Sequence, residues 1–220
     1  MEKIINKKND LQMPILRFEF DSDKGLAMLK YLLDKMGGVY NYMALLKLAF
    51  FSDRYHIRNF ARPVSNDRYF ALKFGPMPTR LKDIMDVVCY YGEDFTNIDA
   101  YRISLLDKKI DLNQFSKSDI LAMDFAVEHF GELGKVNPFD LANLTHAYPE
   151  WDKYKATFSN NSNSSRKKEK MNYLDFLLNA NPNHPEFKKL HFKDPFATLT
   201  KEQIENISQE IINRYGDVDC

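Results

Sequence analysis

Hydrophobic residues recur at helical spacing through much of the chain. Residues 26–36 place apolar side chains three or four positions apart, after an N-cap supplied by Asp21-Ser-Asp23 and before the helix-ending pair Gly37 and Gly38. From Asn41 to about Phe60, apolar residues occupy the whole circumference of a predicted helix. This second helix is therefore expected to lie deep in the core.

Further helices are predicted from local start signals, in which a capping side chain or a proline precedes an apolar stripe. These signals are Pro78, Ser116 with Asp119, Asn137 with Pro138 and Asp140, and Thr200 with Gln203. The last of them opens an amphipathic C-terminal helix with Ile204, Ile207 and Ile211 on one side. A short apolar helix is predicted at residues 173–178.

Strand patterns are few. Ile15–Phe20 alternates apolar and charged residues. Arg68–Phe74 is a short, mainly apolar run that favours a strand, with a helix as the alternative. Gly75–Pro78 predicts a rigid turn, and Phe95–Leu112 predicts a hairpin broken at residues 106–109. The expected fold class is therefore α+β and mainly α-helical: a single helical domain with a small strand and hairpin component and a C-terminal amphipathic helix.

Changes in composition divide the chain into three parts. Residues 1–20 are expected to form a polar leader that ends in an edge strand, and residues 21–158 the helical domain. From Ser159 to Lys170 the sequence is polar and of low complexity, which predicts a mobile loop. Residues 159–220 are thus expected to be this loop followed by a helical extension that packs on the same domain.

The charge balance and cysteine content exclude several classes of protein. The 220 residues contain 31 Lys and Arg and 31 Asp and Glu, and this neutral balance makes nucleic acid an unlikely partner. Two cysteines are too few for a disulfide framework or a thiolate metal site. No apolar run approaches the ~20 residues of a membrane span, and the N-terminus has no signal-peptide pattern. We therefore expect a cytoplasmic protein without membrane contact.

Sequence motifs of catalysis are missing. Glycine is rare, no phosphate-binding loop or nucleophile elbow is present, and the five histidines lack metal-ligand spacing. The sequence thus predicts no catalytic residue, no metal and no cofactor, and the protein is not expected to be an enzyme.

Asp53 stands out because it lies beside the apolar stripe of the second predicted helix. An unpaired buried charge is costly, so this carboxylate needs an ion-pair partner or hydrogen bonds. The favoured interpretation is structural, either an ion pair or the cap of a neighbouring loop. The alternative is a functional carboxylate with a raised pKa.

Two further segments combine aromatic and polar residues. Asp67 and Tyr69 precede Ala71 and Gly75, a pattern that predicts a tight corner in which the Tyr69 hydroxyl needs a partner, with Asp67 one candidate. Later, His146 lies five residues before Trp151, the single tryptophan. Trp151 is interpreted as a core or lid residue, or alternatively as an interface anchor.

Four of these segments in order resemble the Panacea domain, the SocA-like antitoxin family. They are Lys47-Leu-Ala-Phe-Phe-Ser-Asp53, Asp67-Arg-Tyr-Phe-Ala71, Gly75-Pro-Met-Pro78 and Leu144-Thr-His-Ala-Tyr-Pro-Glu-Trp151. The resemblance extends from about Leu26 to Thr157. It implies a mostly helical, non-enzymatic domain that neutralises a toxin encoded beside it by binding the toxin directly. It also implies occurrence on bacterial chromosomes, prophages and other mobile elements.

The positions that match the family pattern fall into two groups. Phe50, Ala71, Gly75 and Pro76 are assigned to the structure of the domain. The charged and aromatic positions are predicted to bind the partner, and these are Lys47, Asp53, Asp67, Tyr69, His146 and Trp151.

Three functions compete at this point. The leading hypothesis is an antitoxin whose partners are the toxin from a neighbouring gene and, as an alternative, a second copy of the chain. The second is an adaptor or regulator, from a phage or another mobile element, that sequesters or delivers a host protein through its C-terminal region. The third is an enzyme in which Asp53 and His146 meet as base and orienting group.

Overall fold

The computed structural model describes residues 16–92, 94–159 and 167–216. The α-helices are α1 (Ser22–Lys35), α2 (Tyr42–Phe60), α3 (Thr79–Tyr91), α4 (Lys117–Ala126), α5 (Glu132–Val136), α6 (Pro138–Leu144), α7 (Pro149–Asp152), α8 (Lys155–Ser159), α9 (Pro185–Lys189) and α10 (Lys201–Tyr215). The strands are β1 (Val39–Asn41), β2 (Tyr69–Leu72), β3 (Gly75–Pro78), β4 (Phe95–Asn97), β5 (Arg102–Leu105) and β6 (Glu169–Lys170). The prediction of a mainly α-helical α+β domain is confirmed.

Helix α2 is the central element. The Asn41 side chain caps its first turn, and the residues from Ala44 to Asp53 are all buried. Helices α1, α4 and α6 and strand β3 pack around it. This confirms the prediction of a core helix, since a helix that is apolar on all sides needs neighbours on all sides.

The predicted helix starts are confirmed where a local side-chain cap specifies them. Asp21 caps α1, and Ser116 with Asp119 forms a reciprocal capping box at α4. Asn137 caps α6 ahead of Pro138, and the Thr200 and Gln203 pair opens α10. Each cap joins groups two or three residues apart, so the sequence alone specifies it.

The prediction of a turn at Gly75–Pro78 is wrong, because these residues form β3. Strand β3 pairs antiparallel with β2, with Tyr69 opposite Pro78 and Ala71 opposite Pro76. Prolines are tolerated here because β3 is an edge strand in the order β3-β2-β6. The turn itself falls at residues 73–74.

The predicted hairpin exists, but its turn was misplaced. Strands β4 and β5 pair with Phe95 opposite Leu105, and the turn lies at residues 98–101 rather than 106–109. The Asp99 carboxylate accepts hydrogen bonds from the amides of Tyr101 and Arg102, at 2.9 and 2.8 Å, and this closes the turn. Strand β1, which the sequence did not predict, adds to the free side of β5.

The edge strand predicted at Ile15–Phe20 is not formed in its described part, residues 16–20; Ile15 lies outside the described residues. A single antiparallel bridge joins Leu16 to Gly216. The alternation instead reflects ring packing, since Phe18 lies 4.9 Å from Tyr173 between ring centroids. One bridge is too little pairing to make a strand.

Residues 167–216 pack on the helices that precede them. The Arg58 guanidinium of α2 donates to the carbonyls of Leu177 and Ala197, at 2.6 and 2.8 Å, and β6 pairs with β2. The predicted short helix after residue 172 is a 3₁₀ turn, Tyr173–Leu177. Of the predicted polar loop, residues 160–166 lie outside the described residues. No helix in the described ranges has the length and apolar character needed to cross a membrane.

Candidate functional site

The Asp53 carboxylate is the centre of a fully buried hydrogen-bond network. It accepts from the amides of Val64 and Ser65, at 2.7 and 2.8 Å, and from the hydroxyls of Ser65 and Tyr69, the latter at 2.9 Å. Burial raises the pKa of Asp53 to about 6, although the hydrogen bonds act in the opposite direction. The carboxylate thus caps the loop that follows α2 and joins this loop to β2.

Asp67 makes a second junction, at the start of α3. Its two carboxylate oxygens accept from the amides of Arg80 and Leu81, at 3.0 and 2.8 Å, which are N–H groups of the first helical turn. Its backbone carbonyl accepts from the Tyr173 hydroxyl. Asp67 was one candidate partner of the Tyr69 hydroxyl; the partner is Asp53 instead.

Lys47 and Gly75 fix β3 against the helices. The fully buried Lys47 donates from Nζ to the Pro76 carbonyl at 2.6 Å, and burial lowers the pKa of this amine to about 7. Gly75 has φ of +94°, and a Cβ there would collide with Thr145 Oγ1 and approach Lys47 Nζ to 3.2 Å. Only glycine combines this backbone conformation with so close an approach.

Trp151 joins the fourth signature segment to β2. Its indole Nε1 donates to the Leu72 carbonyl at 2.9 Å, and its ring stacks on His146 with 3.6 Å between centroids. His146 Nε2 has no hydrogen-bond partner among the described residues, and burial lowers the pKa of His146 to about 3, so the ring is neutral at pH 7. Both rings line a cavity of about 330 Å³ together with Phe74 and Phe158.

A buried ion pair that the sequence analysis did not identify lies beside this network. Arg54 of α2 pairs with Glu150 of α7, and both side chains are fully buried. The guanidinium also lies over the Tyr148 ring, 4.5 Å from its centroid, and donates to the Leu178 carbonyl at 2.7 Å. The sequence signal for this ion pair is the position of Arg54 on a helix that is mainly apolar around its circumference. The same signal identified Asp53.

The segment that contains these residues matches a known protein family. Residues 45–152 match the family described as antitoxin SocA-like, Panacea domain. The chain carries a Panacea domain. This confirms the predicted resemblance, and it supports an antitoxin-type role in general. No curated protein and no solved structure matches the chain.

The Panacea match runs from within α2 to the end of α7 and contains all six residues predicted to bind a partner. Lys47, Asp53, Asp67 and Tyr69 have at most 2% of their surface exposed, and Trp151 has 4%. Their polar atoms contact other residues of the chain, so in this conformation they hold the domain together. Only His146 is partly exposed. A partner role for these positions stays a prediction.

Asp53 and His146 of the Panacea domain are not brought together. The four hydrogen bonds of Asp53 go to residues 64–69, and His146 stacks on Trp151 and lines a cavity that Asp53 does not reach. The base and orienting pair of the enzyme hypothesis is therefore not formed. Within the ranges that the structure describes, no group of three or more His, Cys, Asp or Glu side chains is placed to hold a metal ion.

Two surfaces of the Panacea domain carry large exposed aromatic residues, the first away from the signature and the second beside it. The first, here called the tyrosine surface, consists of Val87, Tyr90, Tyr91, Ile98 and Tyr101 on α3 and the β4–β5 turn; Tyr90 is 82% exposed. The second, here called the phenylalanine surface, is the pair Phe74 and Phe139, with ring centroids 6.4 Å apart. Large exposed aromatic residues are typical of protein–protein interfaces.

Proposed function

We propose that this protein is an antitoxin that neutralises a cognate toxin by binding the toxin protein directly. The toxin would be the product of a neighbouring gene, and both proteins would act in the cytoplasm. The observation that carries the proposal is the match of residues 45–152 to the SocA-like Panacea domain. Binding alone accounts for neutralisation, so no chemical step on the toxin is part of the proposal.

The geometry of the signature residues supports a binding role. Asp53, Asp67 and Lys47 direct their polar atoms to backbone and hydroxyl groups of the same chain, and so they are occupied in holding the loop after α2 together with β3 and α3. A rigid core of this kind presents its surface side chains in fixed positions. Preorganised surfaces lose little conformational entropy on binding, which favours affinity.

Co-expression with each adjacent open reading frame tests the proposal. We expect one neighbour to arrest growth alone, to be harmless together with this chain, and to co-purify with it. Because a binder acts by occupancy, growth should recover only when the antitoxin reaches about equimolar amounts with the toxin. Recovery at far lower amounts would contradict neutralisation by binding and favour catalysis. Absence of any complex would also contradict it.

The adaptor hypothesis receives less support. Delivery of a host protein through the C-terminal region requires that region to be available to the host protein. Here Arg58 donates to the carbonyls of Leu177, Leu178 and Ala197, and Arg54 donates to Leu178 as well. Truncation after Phe158 would leave both guanidinium groups without these acceptors, so we expect it to destabilise the domain rather than remove one separable activity.

A further inference from the structure

The cavity of about 330 Å³ lies between the β2–β3 turn, which carries Lys73 and Phe74, and the helices α7 to α9. Its aromatic walls are Phe74, Trp151 and Phe158. Trp151 stacks on both His146 and Phe158, with 3.6 and 5.7 Å between ring centroids. Concave sites of about 300–1,000 Å³ with aromatic walls and a few polar groups are typical of binding sites.

Buried residues of the family signature hold the wall of this cavity in place. Trp151 Nε1 donates to the Leu72 carbonyl at 2.9 Å, directly before the β2–β3 turn. Beyond the turn, Lys47 Nζ donates to the Pro76 carbonyl at 2.6 Å. The turn is therefore anchored on both sides, and such preorganisation reduces the entropy that is lost on binding.

Two carboxylates and two lysines line the cavity, so its wall has no net formal charge. The two carboxylates already have partners within the chain. Asp152 Oδ1 lies 3.5 Å from His184 Nε2, and Glu186 Oε2 lies 4.0 Å from Lys189 Nζ. A cationic ligand would therefore compete with these groups for both carboxylates.

The groups of the wall that lack partners are hydrogen-bond donors. Lys73 and Lys155 are exposed, and neither ammonium group has an ion-pair partner within the described ranges. The His146 imidazole makes no hydrogen bond there either, although the neutral ring carries one N–H. Burial lowers the pKa of this ring to about 3, and Lys47 and Lys155 lower it further. An anionic group that enters the cavity would thus meet three unused donors in a positive environment.

Exposed aromatic residues continue the cavity wall onto the protein surface. Phe74 lines the cavity and also forms the phenylalanine surface with Phe139, and about half of each side chain is exposed. A small free anion would fill the cavity and leave Phe139 uncovered, whereas a protein that reaches into the cavity would cover this surface as well. The aromatic surface at the cavity therefore favours a protein as the occupant.

We propose that the toxin binds at this cavity and inserts an acidic side chain, whose carboxylate is bound by Lys73, Lys155 and the His146 imidazole. This proposal rests on the proposed antitoxin function and specifies the chemistry that the site recognises on the toxin. Hydrogen bonds between charged groups are the strong ones, and salt screens them less in a partly enclosed site. Apolar neighbours of the acidic residue would pack on Phe74 and Phe139.

The test measures the dissociation constant of the full-length chain and the toxin identified by growth rescue, at several salt concentrations. The Lys73→Gln, Lys155→Gln double variant should bind at least about tenfold more weakly, because it loses charge-assisted hydrogen bonds. Its affinity should also depend less on salt. Its melting temperature should match that of the unchanged chain, since both lysines are exposed and unpaired within the described ranges.

The variant His146→Phe isolates the contribution of the imidazole. It keeps an aromatic ring against Trp151 and removes the N–H, so we expect binding to weaken about three- to tenfold, as loss of one neutral hydrogen bond does. Unchanged affinity of this variant would overturn the assignment of the imidazole to the toxin carboxylate.

The matched control is the Lys108→Gln, Lys109→Gln double variant, which removes the same charge from two exposed lysines outside the cavity wall. It should bind within about threefold of the unchanged chain, as peripheral substitutions do. If both double variants lose affinity equally, or if the cavity variant binds normally, the cavity is the wrong site and the antitoxin function stands. If the unchanged chain binds no neighbouring gene product, both proposals fail.

A double-mutant cycle identifies the source of the anion. Each exposed Asp or Glu of the toxin is replaced with alanine and measured against the unchanged chain and against the Lys73→Gln, Lys155→Gln variant. We expect one replacement to weaken binding to the unchanged chain and to have little further effect on binding to the variant. If every replacement lowers both affinities by the same factor, no toxin carboxylate occupies the cavity and the proposal is overturned.

Discussion

The signature residues around Asp53 and the tyrosine surface are built from the same residue types in opposite environments. Asp53 is fully buried and accepts four hydrogen bonds, whereas Asp83 is exposed on α3. Tyr69 is 2% exposed and donates to Asp53, whereas Tyr90 is 82% exposed. In the interior each polar atom requires a partner, because water is not available to replace one. At the surface water solvates the same groups, and they remain available to another molecule.

This difference separates the framework role of the family signature from the availability of the surface residues. The buried signature residues depend on one another, since loss of one leaves several others without a partner. The surface residues are largely exposed, so we expect their substitution to disturb the fold little. The recognisable pattern therefore marks the framework, and the residues of the tyrosine surface lie outside that pattern. The following predictions test the contrast.

The largest effect is expected from Asp53→Ala. It removes the acceptor of the Val64 and Ser65 amides and of the Tyr69 hydroxyl, and these donors stay buried. The free energy of unfolding should fall by about 3–5 kcal/mol, measured by urea denaturation. The matched control Asp83→Ala should change it by less than about 0.5 kcal/mol. Similar losses for both variants would contradict the expected difference between the buried and the exposed carboxylate.

A smaller effect is expected from Gly75→Ala, with Gly92→Ala as its control. Both glycines have positive φ, +94° and +69°. An alanine at either position would adopt the left-handed backbone conformation, which costs about 1–2 kcal/mol. A Cβ at Gly92 meets nothing within 4 Å, whereas one at Gly75 collides with Thr145 Oγ1. Gly75→Ala should therefore lose about 1–3 kcal/mol more in thermal or urea unfolding. Equal losses would show that β3 can move away from Thr145.

The smallest and most gradual effect is the pH dependence that Lys47 confers. Its pKa is about 7 in the folded protein, against 10.5 for an ordinary lysine, so between these values the unfolded chain binds more protons. Its contribution to stability should therefore rise with pH from about 7 to 10, by at most about 1.4 kcal/mol per pH unit. The difference in unfolding free energy between the unchanged chain and Lys47→Met should follow this slope. A difference that stays constant between pH 7 and 10 would contradict this expectation.

The sequence predicted those parts of the fold that depend on neighbours along the chain. The caps at Asp21, Ser116, Asn137 and Thr200 join atoms two or three residues apart, and all four were predicted. The turn of the β4–β5 hairpin was also local, yet it was misplaced, because the apolar pattern outweighed the turn-forming Asp99. Strand β3 was missed because two prolines indicate a turn unless an edge position is known.

For the candidate site, the sequence by itself determined that Asp53 must be satisfied inside the protein, because a carboxylate on an apolar helix cannot be buried unpaired. Only the tertiary structure decided which groups satisfy it, since the Tyr69 hydroxyl lies sixteen residues away. Tertiary structure alone also brought Arg58 to the Ala197 carbonyl, 139 residues later, and left the outward face of α3 exposed. Local hydrogen bonds can be read along a chain. Partners distant in sequence are fixed by the packing of whole elements, which no local pattern specifies.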